Sequence, residues 1–204
     1  MHLEALTEKA AAFLKYLPLF NGFYLAGGTA LALQLGHRVS VDFDLFSLQK
    51  IEKHLLPLVK KTLPADITIS VNNAEELTIF ADDIKITFLY YPFPLVEALT
   101  SINALDVLSV REIGITKAYT IGRRGSFKDY VDLYVIITGG FASLTDIITL
   151  SQKKFGAEFN TRLFLEQIIY LEDIEDTDIL FLTKSISKKE IQQFFEEQVK
   201  TLAF

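Results

Sequence analysis

One stretch constrains this chain more than any other: LAGGTALALQLGHRVSVDFDLF, from Leu25 to Phe46. An apolar run reads as a strand that ends at Gly27-Gly28, where missing side chains let a ligand approach the backbone. A short helix then begins at Thr29, its unsatisfied N–H groups pointing outward, a favourable place for phosphate. Beyond it, Val41–Phe46 alternates with period two, so Val41, Phe43 and Leu45 face one way while Asp42 and Asp44 face the other. Two carboxylates at neighbouring positions on one face repel unless a cation lies between them. Hard oxygen ligands suit Mg²⁺ or Mn²⁺ bridging to substrate phosphates, and two such metals activate an attacking hydroxyl and neutralise a leaving pyrophosphate. The plainer reading makes Gly27-Gly28 an ordinary turn and the aspartates the wet face of an edge strand.

The rest of the chain supplies a setting for that stretch. Phe23–Ala26, Val41–Phe46, Ile67–Val71, Leu77–Phe80 and Ile84–Tyr90 are short runs rich in β-branched and aromatic residues and read as strands, with Asp82-Asp83 marking a tight hairpin. Helical spacing appears at 3–18, 29–35 and 50–62, the last containing Pro57. From residue 96 onward the spacing is helical: Val107–Thr120, Phe127–Thr138, Ser143–Phe155, Thr161–Leu171 and Ser187–Leu202. The expectation is an α+β fold: a mixed-sheet core with flanking helices over residues 1–95, then a helical part over 96–204. Ser187 with Glu190 has the form of a capping box and supports the terminal helix.

Composition excludes several classes of function. The net charge of −6 argues against coating nucleic acid by bulk electrostatics, which leaves local basic clusters at His37-Arg38, Lys60-Lys61 and Arg123-Arg124 with Lys128. With no cysteine there is no disulfide, thiolate nucleophile or cysteine-held zinc, and the expected setting is cytoplasmic. The first twenty residues read as an amphipathic helix rather than a signal peptide, and no apolar stretch is long enough to span a bilayer.

The sequence GGTALAL, then GHR and DFDLFS, resembles the AbiEii/AbiGii family of nucleotidyltransferase-like proteins. IKITFLYYPFP (84–94) resembles that family's central strand, and ITKAYTIGRRGSFKDYVDLY (115–134) its Lys-Ala…Arg…Lys-Asp…Asp-Leu segment. The likeness spans roughly residues 20–140. It implies a nucleotidyltransferase-like fold and transfer of a nucleoside monophosphate from a nucleoside triphosphate to a hydroxyl, an RNA end among the acceptors. It also implies a toxin of a bacterial toxin–antitoxin pair, with an antitoxin protein as partner. By the same resemblance Gly28 and Thr29 lie at the nucleotide-contacting turn, Asp42 and Asp44 at the metal carboxylates holding Mg²⁺ or Mn²⁺, and Lys117 and Asp129 at later catalytic positions. Gly27 and Arg38 complete the nucleotide-binding set.

Two departures bear on this assignment. Many nucleotidyltransferases carry a third carboxylate on the central strand, where this chain has Thr87, on the face it shares with Lys85 and Leu89. The turn is Gly27-Gly28-Thr29 rather than Gly-Ser, which leaves Thr29 as the nearest hydroxyl for a phosphate. Lys117 reads as a compact ammonium that neutralises phosphate charge, or as part of a solvated helix face. Asp129 lies three residues after Ser126 and reads equally as a helix cap or a site residue. Asp132, one turn on, reads as a salt-bridge partner for Arg123, Arg124 or Lys128. A rival function is a module that keeps the fold and binds nucleotide or partner without chemistry.

Overall fold

Runs of branched and aromatic residues pair into one sheet, and the helical spacing that follows builds a separate bundle. The structure is a computed structural model that describes residues 1–175 and 177–202. The chain divides into two units, one of Met1–Pro94 with Ala98–Leu108 and one of Leu95–Glu97 with Ser109–Phe204.

The first unit carries strands β1 (Tyr24–Ala26), β2 (Phe43–Ser47), β3 (Ile67–Asn72), β4 (Glu76–Ala81), β5 (Ile84–Tyr90), β6 (Thr100–Ile102) and β7 (Leu105–Val107). They form a seven-stranded sheet in the order β3-β4-β5-β2-β1-β7-β6. β2 runs parallel to β5 and antiparallel to β1, so the sheet is mixed. Its alternation places Phe43 and Leu45 at 0% exposure in the core and leaves Asp44 half-buried on the other face. Phe88 of β5 meets Phe20 and Phe23 edge to face, with ring centroids 5.0 and 5.1 Å apart.

Asp82 and Asp83 both adopt positive φ, +47° and +71°, the two-residue turn whose twist matches the flanking strands β4 and β5. A second such turn at Asn103-Ala104, φ +50° and +65°, joins β6 to β7. Residues 98–108 therefore belong to the sheet unit, whereas the sequence pattern places the onset of helix at 96.

Three helices accompany the sheet: α1 (Glu8–Leu14), α2 (Gly27–Leu35) and α3 (Leu55–Thr62). The helix expected over 3–18 is shorter, capped by the Thr7 hydroxyl on the Ala10 N–H and flanked by 3₁₀ turns at Leu3–Ala5 and Leu17–Leu19. Pro57 sits in the first turn of α3, where its missing N–H leaves no bond unmade. The helix begins there rather than at residue 50.

The second unit holds α4 (Val110–Ile121), α5 (Phe127–Thr138), α6 (Leu144–Phe155), α7 (Thr161–Ile169) and α8 (Lys188–Lys200). Glu112, fully buried, fastens Leu95–Glu97 to them. Its Oε2 accepts the N–H groups of Val96 and Glu97 at 3.2 and 2.9 Å, and its Oε1 lies 2.5 Å from Lys154 Nζ. A carboxylate removed from water needs both a counter-charge and hydrogen bonds, and here one residue obtains both. A full capping box forms at Ser143 and Asp146. At Ser187 only half of the expected box forms. The hydroxyl accepts the Glu190 N–H, while the Glu190 carboxylate accepts the Tyr134 hydroxyl at 3.1 Å. Among the described residues no helix is long and apolar enough to cross a membrane.

Candidate active site

Gly27 and Asp44 are fitted to each other. Ala26, the last residue of β1, is the register partner of Asp44, so the chain turns into α2 right beside that carboxylate. Gly27 has φ +69°, and a Cβ on it would stand 2.4 Å from Asp44 Oδ2. Only glycine tolerates both the backbone angle and the approach. No side chain caps the N-terminus of α2.

Thr29 has a different task from the one its place in the turn suggests. It is 2% exposed, its hydroxyl lies 2.8 Å from Ser40 Oγ, and it donates to the backbone carbonyl of Asp42. It clamps the loop that delivers Asp42 instead of presenting a hydroxyl outward. Arg38 is buried as well, and its Nη1 donates to the Val39 carbonyl at 3.2 Å. Asp42 itself is exposed and lies just before the first residue of β2. Thr87 is the register partner of Asp44 on β5, the place at which a third carboxylate was expected. Among the described residues no group of three or more His, Cys, Asp or Glu could hold a metal. The first unit thus offers two carboxylates and a hydroxyl.

In the second unit Lys117 of α4 lies between two aspartates of α5. Its Nζ is 2.6 Å from Asp129 Oδ1 and 2.7 Å from Asp132 Oδ2. The aspartates are 2% and 0% exposed. Ser126 makes no side-chain cap bond, so Asp129 is a partner of Lys117 rather than a helix cap. Asp132, expected to pair with Arg123, Arg124 or Lys128, pairs with Lys117. Burial pulls the Lys117 ammonium down, but Asp132 and Asp129 together outweigh it and hold the group above the ordinary lysine value. An ammonium has three N–H donors, and the aspartates take two.

Arg124 is 73% exposed along its side chain and its Nε stands 3.7 Å from Asp129 Oδ2, an oxygen that accepts no hydrogen bond among the described residues. Arg123 is tied down otherwise. Its guanidinium lies 3.4 Å from the centroid of the Tyr119 ring, and Nη2 donates to the Glu158 carbonyl at 2.9 Å.

The structure thus has a turn opened by glycine onto Asp44 in one unit and, in the other, a buried Lys117 between Asp129 and Asp132. The family described as "Nucleotidyl transferase AbiEii toxin, Type IV TA system" matches residues 11–203. The chain belongs to the AbiEii family. It is therefore a nucleotidyltransferase by family and by fold.

An uncharacterized protein of Aquifex aeolicus is 29% identical over 187 residues, which cover 90% of this chain and 89% of that one. Among solved structures, JHP933 from Helicobacter pylori is 19% identical, with TM-score 0.56 over 96% of this chain and 94% of that one. MenT4, a nucleotidyltransferase toxin from Mycobacterium tuberculosis, is 12% identical, with TM-score 0.58 over 99% of this chain and 88% of that one. At these identities the two structures speak for the fold alone.

Within this AbiEii-family chain, the first unit carries Gly27, Gly28, Thr29, Arg38, Asp42 and Asp44, and the second carries Lys117 and Asp129. Sequence reasoning expected an ion pair at Asp132 but named the wrong partner, and it gave Thr29 an outward hydroxyl that the structure turns to Ser40 and the Asp42 carbonyl. The i,i+3 spacing of Asp132 from Asp129 sets two carboxylates one above the other on α5, a signal for one shared cation. That the cation comes from α4 is a tertiary fact.

Proposed function

We propose that this AbiEii-family chain moves a nucleoside monophosphate from a nucleoside triphosphate to a hydroxyl acceptor, an RNA end, with Mg²⁺ or Mn²⁺ held by Asp42 and Asp44. The observation that carries the reading is the fit of Asp44 Oδ2 to the space where a Cβ of residue 27 would stand. Gly27 leaves free the space that Asp44 Oδ2 occupies, which supports a turn and a carboxylate built to work together. The metal would draw two carboxylates from the chain and its other oxygens from triphosphate and water, the usual habit of Mg²⁺. When bound it would polarise the phosphate and offset the charge of the leaving pyrophosphate.

Each residue then has a task. The turn Gly27-Gly28 brings backbone N–H groups at the start of α2 against the phosphates. Thr29 holds the Asp42 loop in place, and Arg38 supports the neighbouring backbone while adding a fixed positive charge. Lys117 keeps one N–H for the triphosphate, and Asp129 with Asp132 fixes where that N–H points. The family name supports a toxin role with an antitoxin protein as partner, and the lack of cysteine fits the cytoplasm as the place of action. Thr87 beside Asp44 is the one observation that favours the second reading, a module that binds nucleotide without chemistry.

The test is to incubate the purified chain with Mg²⁺, total RNA and each labelled ribonucleoside triphosphate in turn, beside the double variant Asp42→Asn/Asp44→Asn. Label passing to RNA or to the protein, lost at least a hundredfold in the variant while its melting temperature holds, is the expected result. Label transfer that the variant retains would break the site assignment. Nucleotide binding with no transfer at all would select the binding module.

A further inference from the structure

Thr87 looks like a lost carboxylate, yet it is connected to one. It is the register partner of Asp44 on one side and of Thr78 on the other, and directly paired residues share a face of the sheet. Thr78 Oγ1 lies 3.3 Å from Thr87 Oγ1 and 2.6 Å from Glu76 Oε1. The two threonines are 3% and 8% exposed, and Glu76 is half-buried. A line of oxygens therefore runs across two strands, from the carboxylate of Glu76 through Thr78 on β4 to the hydroxyl of Thr87 on β5, the register partner of Asp44.

The hydrogen-bond directions along this line follow from what each group can give. An ionised carboxylate only accepts, and a threonine hydroxyl has one proton to donate. The 2.6 Å contact to Glu76 is the short, charge-assisted one, so it takes the Thr78 proton. Thr78 Oγ1 is placed to donate toward Thr87 as well, but with its one proton on Glu76 the 3.3 Å contact is open to a proton from Thr87. The Thr87 oxygen is left with lone pairs beside Asp44, where a neighbouring hydroxyl has an acceptor for its own proton.

Resting on the nucleotidyl transfer proposed above, we propose that Thr87, Thr78 and Glu76 form a relay that takes the proton of the attacking hydroxyl, in place of the third carboxylate. The acceptor oxygen forms its bond to the α-phosphorus while the bond from that phosphorus to the bridging oxygen breaks, and pyrophosphate leaves with the electron pair. The acceptor O–H proton goes to the Thr87 oxygen, the proton of Thr87 to Thr78, and that of Thr78 to Glu76, which ends as a neutral carboxylic acid. No further reactant is required. Thr87 is the residue that touches substrate, and Thr78 and Glu76 act through it.

Threonine pairs across antiparallel strands also occur as plain sheet contacts, so the test must move something that a structural ladder would not. Wild type, Glu76→Gln, Thr78→Val and the double variant Glu76→Gln/Thr87→Asp are compared with labelled nucleoside triphosphates, Mg²⁺ and total RNA, after melts show that each folds. Loss of general-base catalysis lowers kcat by roughly 10²–10⁴-fold. The two single variants are expected to fall in that range with KM for the triphosphate unchanged. Aspartate at 87 takes the proton directly, so the double variant recovers to within about tenfold of wild type, and its Mn²⁺ affinity by paramagnetic resonance rises while that of Glu76→Gln stays at the wild-type value. Wild-type kcat in Glu76→Gln, or a fall that Thr87→Asp does not reverse, overturns the relay alone. Absence of transfer by the wild-type chain overturns the parent reading and the relay with it.

Discussion

Each unit of the molecule carries a pair of aspartates, and the two pairs live in opposite surroundings. Asp42 is exposed and Asp44 half-buried on the sheet, while Asp129 and Asp132 are 2% and 0% exposed on α5, with Lys117 between them. Depth accounts for the difference. A carboxylate that leaves water must have its counter-charge in place as the chain folds, because the desolvation penalty amounts to several kcal/mol per ion. Carboxylates that keep contact with water can serve a cation that arrives later with its ligand. The buried pair is thus a holder for a lysine, and the open pair is the one to which the metal is proposed to bind.

The sharpest way to break this contrast is to remove the lysine. Lys117→Met leaves two buried carboxylates uncompensated and is expected to destabilise the folded state by about 3–5 kcal/mol, read as a fall in the urea midpoint. The triple variant Lys117→Met/Asp129→Asn/Asp132→Asn removes the charge altogether and should recover most of that loss. The double variant of the open pair, Asp42→Asn/Asp44→Asn, should stay within about 0.5 kcal/mol of wild type. If Lys117→Met melts like the wild type, the buried triad is wetter than its exposure implies. Transfer activity is expected to vanish in the single and the triple variant alike, since neither keeps the third N–H of the ammonium.

Gly27→Ala sharpens the other half of the contrast. A left-handed backbone angle is unfavourable for alanine by about 1–2 kcal/mol, and the new Cβ meets Asp44 Oδ2 at 2.4 Å. Stability falls modestly, but the carboxylate is displaced by the order of an ångström, which lowers transfer by roughly 10²-fold. A Gly27→Ala chain with wild-type turnover would mean that Asp44 has room to yield and that its position is not critical.

The alternation and helical spacing made most elements legible, and α5 occupies the span that its pattern predicts, Phe127–Thr138. What escaped were features without a local signature. β6 and β7 are three residues each, and their turn uses Ala104 at φ +65°, where the usual signal would be glycine. Thr29 was legible as part of a helix start but not the direction of its hydroxyl, because Ser40 and the Asp42 carbonyl come to it from eleven and thirteen residues away. Asp44 could be placed on its face from period two alone, and the resemblance pointed to Thr87 on the central strand, but the pairing that sets the two in register is a tertiary fact. The line from Thr87 to Glu76 needed the β4–β5 register as well, and no single run of sequence contains it.

The smallest expected effect concerns pH. The folded-state pKa of Lys117 is raised by Asp132 and Asp129 against the pull of burial. A raised lysine contributes stability that is fully present below its unfolded value, near 10.4, and is lost as pH rises through the folded one. The stability gap between wild type and the triple variant should therefore show no lysine titration from about pH 6 to pH 9, and should narrow only above roughly 10.4. Urea unfolding of the two proteins across that range measures it. A gap that instead widens as pH rises from neutral would mean that burial wins over the two aspartates and the lysine folds with a depressed pKa, the unfolded chain then binding more protons than the folded one. Lys117 would then be a group able to exchange a proton during turnover rather than a fixed cation, and the two aspartate pairs would differ less in kind than in depth.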